Sequence, residues 1–194
     1  MAEPELIEVV DRAAWRRWLK RHHRRHDAIW LVIHKKGSTS GSLNYGDAAA
    51  EALCFGWIDS KANTLDDERY KLWMAPRNPR SAWSAVNKRC VEELVAYGAM
   101  HQAGMAAIEA AKADGSWTAL DRSDVLELPA DLLGAFDRHE GSRAKWDGFP
   151  PGVRKQILEW VYSAKRPETR AKRVEETASL AAQNERANRW SPKR

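Results

Sequence analysis

The sequence predicts an α+β fold: a small antiparallel sheet with packed helices, followed by a helical C-terminal segment. Three observations carry this. Runs rich in β-branched and aromatic residues are confined to the first 76 positions. Between and after them, apolar residues recur at the three-and-four spacing of helices. Beyond residue 128 every segment reads helical, and Pro129, Pro151 and Pro167 each stand where a first-turn proline belongs. Strands mixed with helices, then helices alone, is the order expected of an α+β chain. The predicted division is a core over 1–117, a connector over 118–128 and a helical segment over 129–194.

In chain order, Leu6–Val10 reads as a short strand, and Asp11 as the N-cap of a helix reaching about Arg24. Trp15, Trp18, Leu19 and His22 form one buried face of that helix, leaving Arg16, Arg17, Lys20, Arg21, Arg24 and Arg25 wet. Ala28–Lys36 (AIWLVIHKK) reads as a central strand, and Gly37–Ser42 as a flexible loop. Asn44 or Tyr45 opens an alanine-rich helix that Gly56 stops. Trp57–Thr64 and Arg69–Pro76 follow as a hairpin around the acidic turn Leu65–Glu68. Ser84 caps a helix to Tyr97 that ends at Gly98, and 101–114 forms another, closed near Gly115. In the last third, Val153, Ile157, Trp160 and Val161 make one amphipathic face, and Val174, Ala178 and Ala181 the next. The polar stretch Asn184–Arg194 is expected to fray.

Composition narrows the function classes. With 43% hydrophobic and 30% charged residues the chain is an ordinary globular protein and not a disordered one. A chain of this length buries roughly 70% of its unfolded surface, so it needs no staple. The ten tryptophans outnumber the seven other benzenoid residues, enough to fill a core and line a surface as well. Cys54 and Cys90 form no CxxC and read as buried free thiols of a reducing cytoplasm. The N-terminus has no basic and apolar leader pattern, and no apolar run reaches the roughly 20 residues of a membrane span. A cytoplasmic protein is therefore expected. The net charge of +5 is unevenly spread: +4 over 1–36, −5 over 37–149 and +6 over 150–194. Basic ends around an acidic middle fit either polyanion contact or two solvated helices.

Four longer stretches carry a family resemblance: LCFGWIDS, APRNPRSAWSAVNK, AYGAMHQAGMAAIEAAKADGSW and AKRPETRAKRVEET. From about Trp30 to Leu180 the chain resembles the YdeI/OmpD-associated, or bacteriocin-protection, family. The resemblance implies a YjbR/frataxin-like α+β core carrying a C-terminal helical segment. It also implies a role in protection against antimicrobial peptides or stress. Frataxin-like relatives bind iron through acidic surfaces; here only Asp59, Asp66, Asp67 and Glu68 compare, so iron is not expected to carry over.

The candidate sites cluster in residues 57–87. A helix start at Ser84 exposes unpaired N–H groups that attract an anion. Arg77 and Arg80 lie just upstream and suit oxyanions. Asn87 and Lys88 fall in the first turn, and Trp83 would wall the ligand. Against this, Ser84 simply caps, Trp83 packs in the core, and the arginines pair with the acidic turn. A second candidate is the strand face Trp57, Asp59, Lys61 and Asn63 with Tyr70, where alternation sends Ile58 and Ala62 inward. In a cleft, Asp59 would orient a ligand or act as a base. His22 and His26 have a chelating spacing but no third ligand, so no metal is predicted. Lys165, Arg166, Arg170, Lys172 and Arg173 at the last helix form the alternative, a nucleic-acid or polyanion surface. Templates for catalysis and cofactors fail: there is no GxSxG, Walker A loop, GxGxxG after a strand or zinc spacing. The reading is a non-catalytic binding or protection protein with no cofactor. Its partner is a small anionic ligand or a protein, held in a groove of Trp57, Asp59, Tyr70, Arg77, Arg80, Trp83, Ser84 and Asn87.

Overall fold

The computed structural model describes residues 4–35 and 43–188. The expected Gly37–Ser42 loop and the end of the Asn184–Arg194 stretch lie outside them. The chain divides into two compact units, Met1–Ala119 and Leu120–Arg194.

The first unit builds a four-stranded sheet from β1 (Leu6–Ile7), β2 (Ile29–His34), β3 (Trp57–Thr64) and β4 (Arg69–Pro76), in the order β1-β2-β4-β3. The sheet is mixed and not purely antiparallel, because β1 runs parallel to β2. Helix α1 (Arg12–His22) joins these two strands, and a helical crossover returns the chain in the same direction. β2 pairs antiparallel with β4, and β4 with β3. Ile29, Leu31 and Ile33 of β2 share a core with Leu72 and Met74 of β4. On the opposite face Trp30 meets its cross-strand partner Trp73 edge-on at 5.0 Å. Lys61 Nζ lies 4.6 Å from the Trp73 ring centre and Lys71 Nζ 4.7 Å from that of Trp30.

Three further helices complete this unit: α2 (Tyr45–Cys54), α3 (Ala85–Ala96) and α4 (Gln102–Asp114). Their starts are capped by side chains that accept backbone N–H groups: Asn44 from Asp47, Ser84 from Asn87 and His101 from Ala103. Arg16 is not wet. It donates to the buried Glu51 at 2.6 Å and to Ala99 O at 2.6 Å, while Arg12 holds the other Glu51 oxygen at 2.7 Å. The approach of α4 to the end of α2 is close. A Cβ built on Gly104 would lie 2.3 Å from Cys54 O, so only glycine fits there.

The second unit contains five helices among its described residues: α5 (Asp121–Asp124), α6 (Ala130–Arg138), α7 (Ser142–Asp147), α8 (Pro151–Tyr162) and α9 (Pro167–Ala182). Pro151 and Pro167 open α8 and α9, whereas Pro129 stands one residue before α6 as its N-cap. Leu132, Phe136, Trp146, Leu158, Val161 and Ala178 centre a separate core. Helix α5 lies within the stretch expected to be a polar connector. Among the described residues no helix is long and apolar enough to cross a membrane.

Candidate functional site

The chain leaves β4 through Arg77, whose backbone N–H donates to Gly56 O at 2.9 Å. A tight turn follows, with Ser81 N donating to Asn78 O at 3.1 Å and Arg80 in the left-handed region at φ 68°. That conformation is uncommon for a side chain larger than glycine. Trp83 N then donates to Ser116 O at 3.2 Å, tying the loop to the segment after α4. The Trp83 ring is buried and meets Trp117 at 5.0 Å.

The loop returns the Arg77 guanidinium onto the Trp83 face, 3.9 Å from the ring centre. Nη2 donates to Ser81 O at 3.3 Å and to Ala82 O. Nε and Nη1 are buried with no hydrogen-bond partner. Burial alone lowers the Arg77 pKa, and no carboxylate offsets it. Arg154 also has a buried Nε without a partner, but its Nη1 lies 3.7 Å from Asp147, and Arg16 and Arg170 differ further. Burial would lower Arg16 too, but Glu51 outweighs it and the net shift is upward. Arg170 is raised first by its hydrogen bond to Asp131. The acidic turn does not serve Arg77 either: Asp66 pairs with Arg69 at 2.8 Å, and Lys35 donates to the carbonyls of Asp66 and Asp67.

A cavity of about 120 Å³ lies against this guanidinium. The loop supplies one wall with Arg77, Arg80 and Trp83; α4 supplies the other with Ala107, Ala110, Ala111 and Asp114. Asp114 Oδ1 accepts from Ser116 N at 2.8 Å. Hydrogen bonding from Ser116 holds its carboxyl below the usual range, with Arg80 adding to the effect. The helix wall was not among the residues picked from the sequence. Its signal was legible, since 107, 110, 111 and 114 follow the i, i+3, i+4, i+7 spacing of one helical stripe.

The structure thus brings Arg77, Arg80 and Trp83 together and leaves the other predicted residues elsewhere. Ser84 Oγ accepts from Asn87 N at 3.2 Å, and neither residue lines the cavity. Trp57 is buried in the core, its Nε1 donating to His23 O at 3.1 Å. The expected common face of Trp57, Asp59, Lys61 and Asn63 does not form, because a bulge between Asp59 and Ala62 shifts the register. Asp59 pairs opposite Met74 and Ala62 opposite Leu72, both core-facing, so Lys61 and Asn63 turn to the other side. Asp59 accepts from Tyr45 OH at 3.1 Å. Burial first and Asp59 second raise the pKa of both Tyr45 and Tyr70.

In the second unit, Arg170 forks onto Asp131 at 2.6 and 3.0 Å. Arg173 donates to Trp160 O and to Ser163 Oγ at 2.9 Å, over the Trp160 ring. Lys165, Arg166 and Lys172 are exposed. His22 and His26 stack around Trp18, and no group of three or more metal-type side chains forms among the described residues.

Comparison with known proteins adds two family matches. Residues 7–107 match the model of a domain of unknown function, DUF8412, and the YjbR/frataxin-like core that the resemblance implied for 1–117 is not shown. Residues 125–184 match the model described as bacteriocin-protection, YdeI or OmpD-associated. No curated protein and no solved structure matches the chain. By the extent of these matches the chain belongs to the DUF8412 family, with a YdeI/OmpD-associated segment in its second unit.

Proposed function

We propose that this protein is a non-catalytic binding protein that takes a small anion at Arg77. One observation carries the reading: a guanidinium with two buried, unpartnered nitrogens beside a cavity, and no carboxylate paired with it. Burying a cation without a counter-charge costs several kcal/mol. Even the more exposed Arg12, Arg16 and Arg170 are paired with carboxylates. An incoming anion would complete the hydrogen bonds of Arg77, with Arg80 adding charge and Trp83 holding the plane of the guanidinium. Trp57, Asp59, Tyr70, Ser84 and Asn87 serve in this reading by shaping the strands and the α3 start around the loop. The setting proposed here is bacteriocin protection, which the description of the family matched by residues 125–184 supports. A reducing cytoplasm is part of the same reading, supported by both cysteines being free thiols.

Thermal melts at constant ionic strength test it, with acetate, propionate, inorganic phosphate and short duplex DNA as probes. A ligand at about 100 times its Kd adds roughly 2.7 kcal/mol, a rise of several degrees for a chain of this size. The expected rise occurs with a small anion, saturates, and disappears in Arg77→Ala plus Arg80→Ala. An equal rise in that variant refutes the reading. A rise only with DNA, erased by salt and lost on replacing Lys165, Arg166 and Lys172, would transfer the function to the basic helix α9.

A further inference from the structure

We infer that the Arg77 cavity selects a short aliphatic monocarboxylate over phosphate, a refinement that rests on the anion-binding reading above. Charge is the first ground. Two cations, Arg77 and Arg80, and one anion, Asp114, line the cavity, so its balance is a single positive charge. One monoanion neutralises it; a phosphate dianion overshoots and shares the cavity with the like charge of Asp114. Asp114 stays ionised because Ser116 hydrogen-bonds it and Arg80 lies near. An acidic residue at the last position of α4 also opposes the negative end of the helix, so its place there is not explained by helix stability.

The walls are the second ground. Away from the guanidinium, Ala107, Ala110, Ala111 and Trp83 make the apolar part of the lining, beside Ser116, whose buried Oγ has no hydrogen-bond partner. The apolar part suits an alkyl tail, and the single free hydroxyl suits one further oxygen of a carboxylate better than the outer oxygens of a phosphate. Size is the third. A dry cavity of about 150 Å³ admits benzene, so 120 Å³ admits about five non-hydrogen atoms. Propionate has that number: its carboxylate would meet the free Arg77 N–H groups and its ethyl group the alanine wall.

The experiment is a calorimetric titration of the full chain with acetate, propionate, butyrate and inorganic phosphate, in chloride at fixed ionic strength. Propionate is expected to bind at least tenfold more tightly than phosphate, and about fourfold more tightly than acetate, the gain of one buried methylene. Asp114→Asn should shift the propionate-to-phosphate ratio toward phosphate. Ala110→Leu should fill the cavity and abolish carboxylate binding while the thermal melt of the free protein stays cooperative. Phosphate binding as tightly as propionate, or an unchanged ratio in Asp114→Asn, overturns the inference and leaves the anion site intact. If no probe binds in an Arg77-dependent way, the anion reading itself falls.

Discussion

Gly104→Ala tests the packing that supports the cavity wall. The added Cβ would meet Cys54 O at 2.3 Å, Cys54 C at 2.7 Å and Leu53 O at 2.7 Å. All three are backbone atoms at the end of α2, so no side chain can rotate away, and the helices must part by about 1 Å to restore ordinary contact. Overpacking of this kind costs about 1–3 kcal/mol. The separation also strains the bond from His101 N to Cys54 O at 3.1 Å, adding about 1 kcal/mol. Alanine returns about 1 kcal/mol through its better helix propensity. With backbone on every side the upper end applies, and the net loss is about 3 kcal/mol. Urea denaturation followed by tryptophan fluorescence would read this as a lower midpoint at unchanged slope. Gly152→Ala is the control, since its Cβ meets nothing within 4 Å. Because α4 also carries Ala107, Ala110, Ala111 and Asp114, the Gly104 variant should bind anions more weakly as well. A Gly104→Ala protein as stable as the parent would refute the close α2–α4 contact.

Other perturbations follow from the same geometry. Glu51→Gln strips the shared partner from Arg12 and Arg16 at a buried position and should cost about 2–3 kcal/mol by urea midpoint. His101 accepts the Ala103 N–H through Nδ1, and burial, then His23, Arg24, Arg16 and Lys20, lower its pKa. The folded state thus disfavours the protonated ring, so this stability is present above about pH 6.5 and is lost as pH falls through the folded pKa. His101→Asn keeps a capping oxygen and should flatten that part of the profile between pH 7.5 and 5.5; an unchanged slope would assign it to other groups. Arg170→Ala breaks the exposed fork onto Asp131 and should lower stability by about 1 kcal/mol, whereas Lys165→Ala and Lys172→Ala should leave the urea midpoint unmoved.

Local signals in the sequence reached most of the fold. The strand bounds Trp57–Thr64 and Arg69–Pro76 follow from composition and the acidic turn, and Asp11, Asn44 and Ser84 announce their helices by cap chemistry. The direction of β1 was not legible, because strand partners depend on how α1 crosses the sheet. The departure of Lys61 and Asn63 from the face of Trp57 and Asp59 has a similar cause: strict alternation holds only until a bulge, and nothing between Asp59 and Ala62 marks one locally. At the site, Arg77, Arg80 and Trp83 stood out because they crowd one loop. Their partner wall could not be paired with them from sequence. It depends on the Gly104 contact that brings α4 close, and that contact lies about 20 residues along the chain from the loop. Likewise, the acidic turn was an equally good partner for Arg77 until Arg69 and Lys35 were seen to occupy it.

Arg77 is proposed as a half-buried cation whose Nε and Nη1 await an anion, and arginine side-chain NMR reads this most directly. In ¹⁵N-arginine-labelled protein the Arg77 Nε–H signal, assigned by its loss in Arg77→Lys, should exchange slowly with water because Nε is buried. Adding propionate should shift that signal saturably while the signals of Arg12, Arg16 and Arg170, already paired with carboxylates, stay in place. An Arg77 signal that ignores every anion, or moves only in step with the paired arginines, would contradict the account.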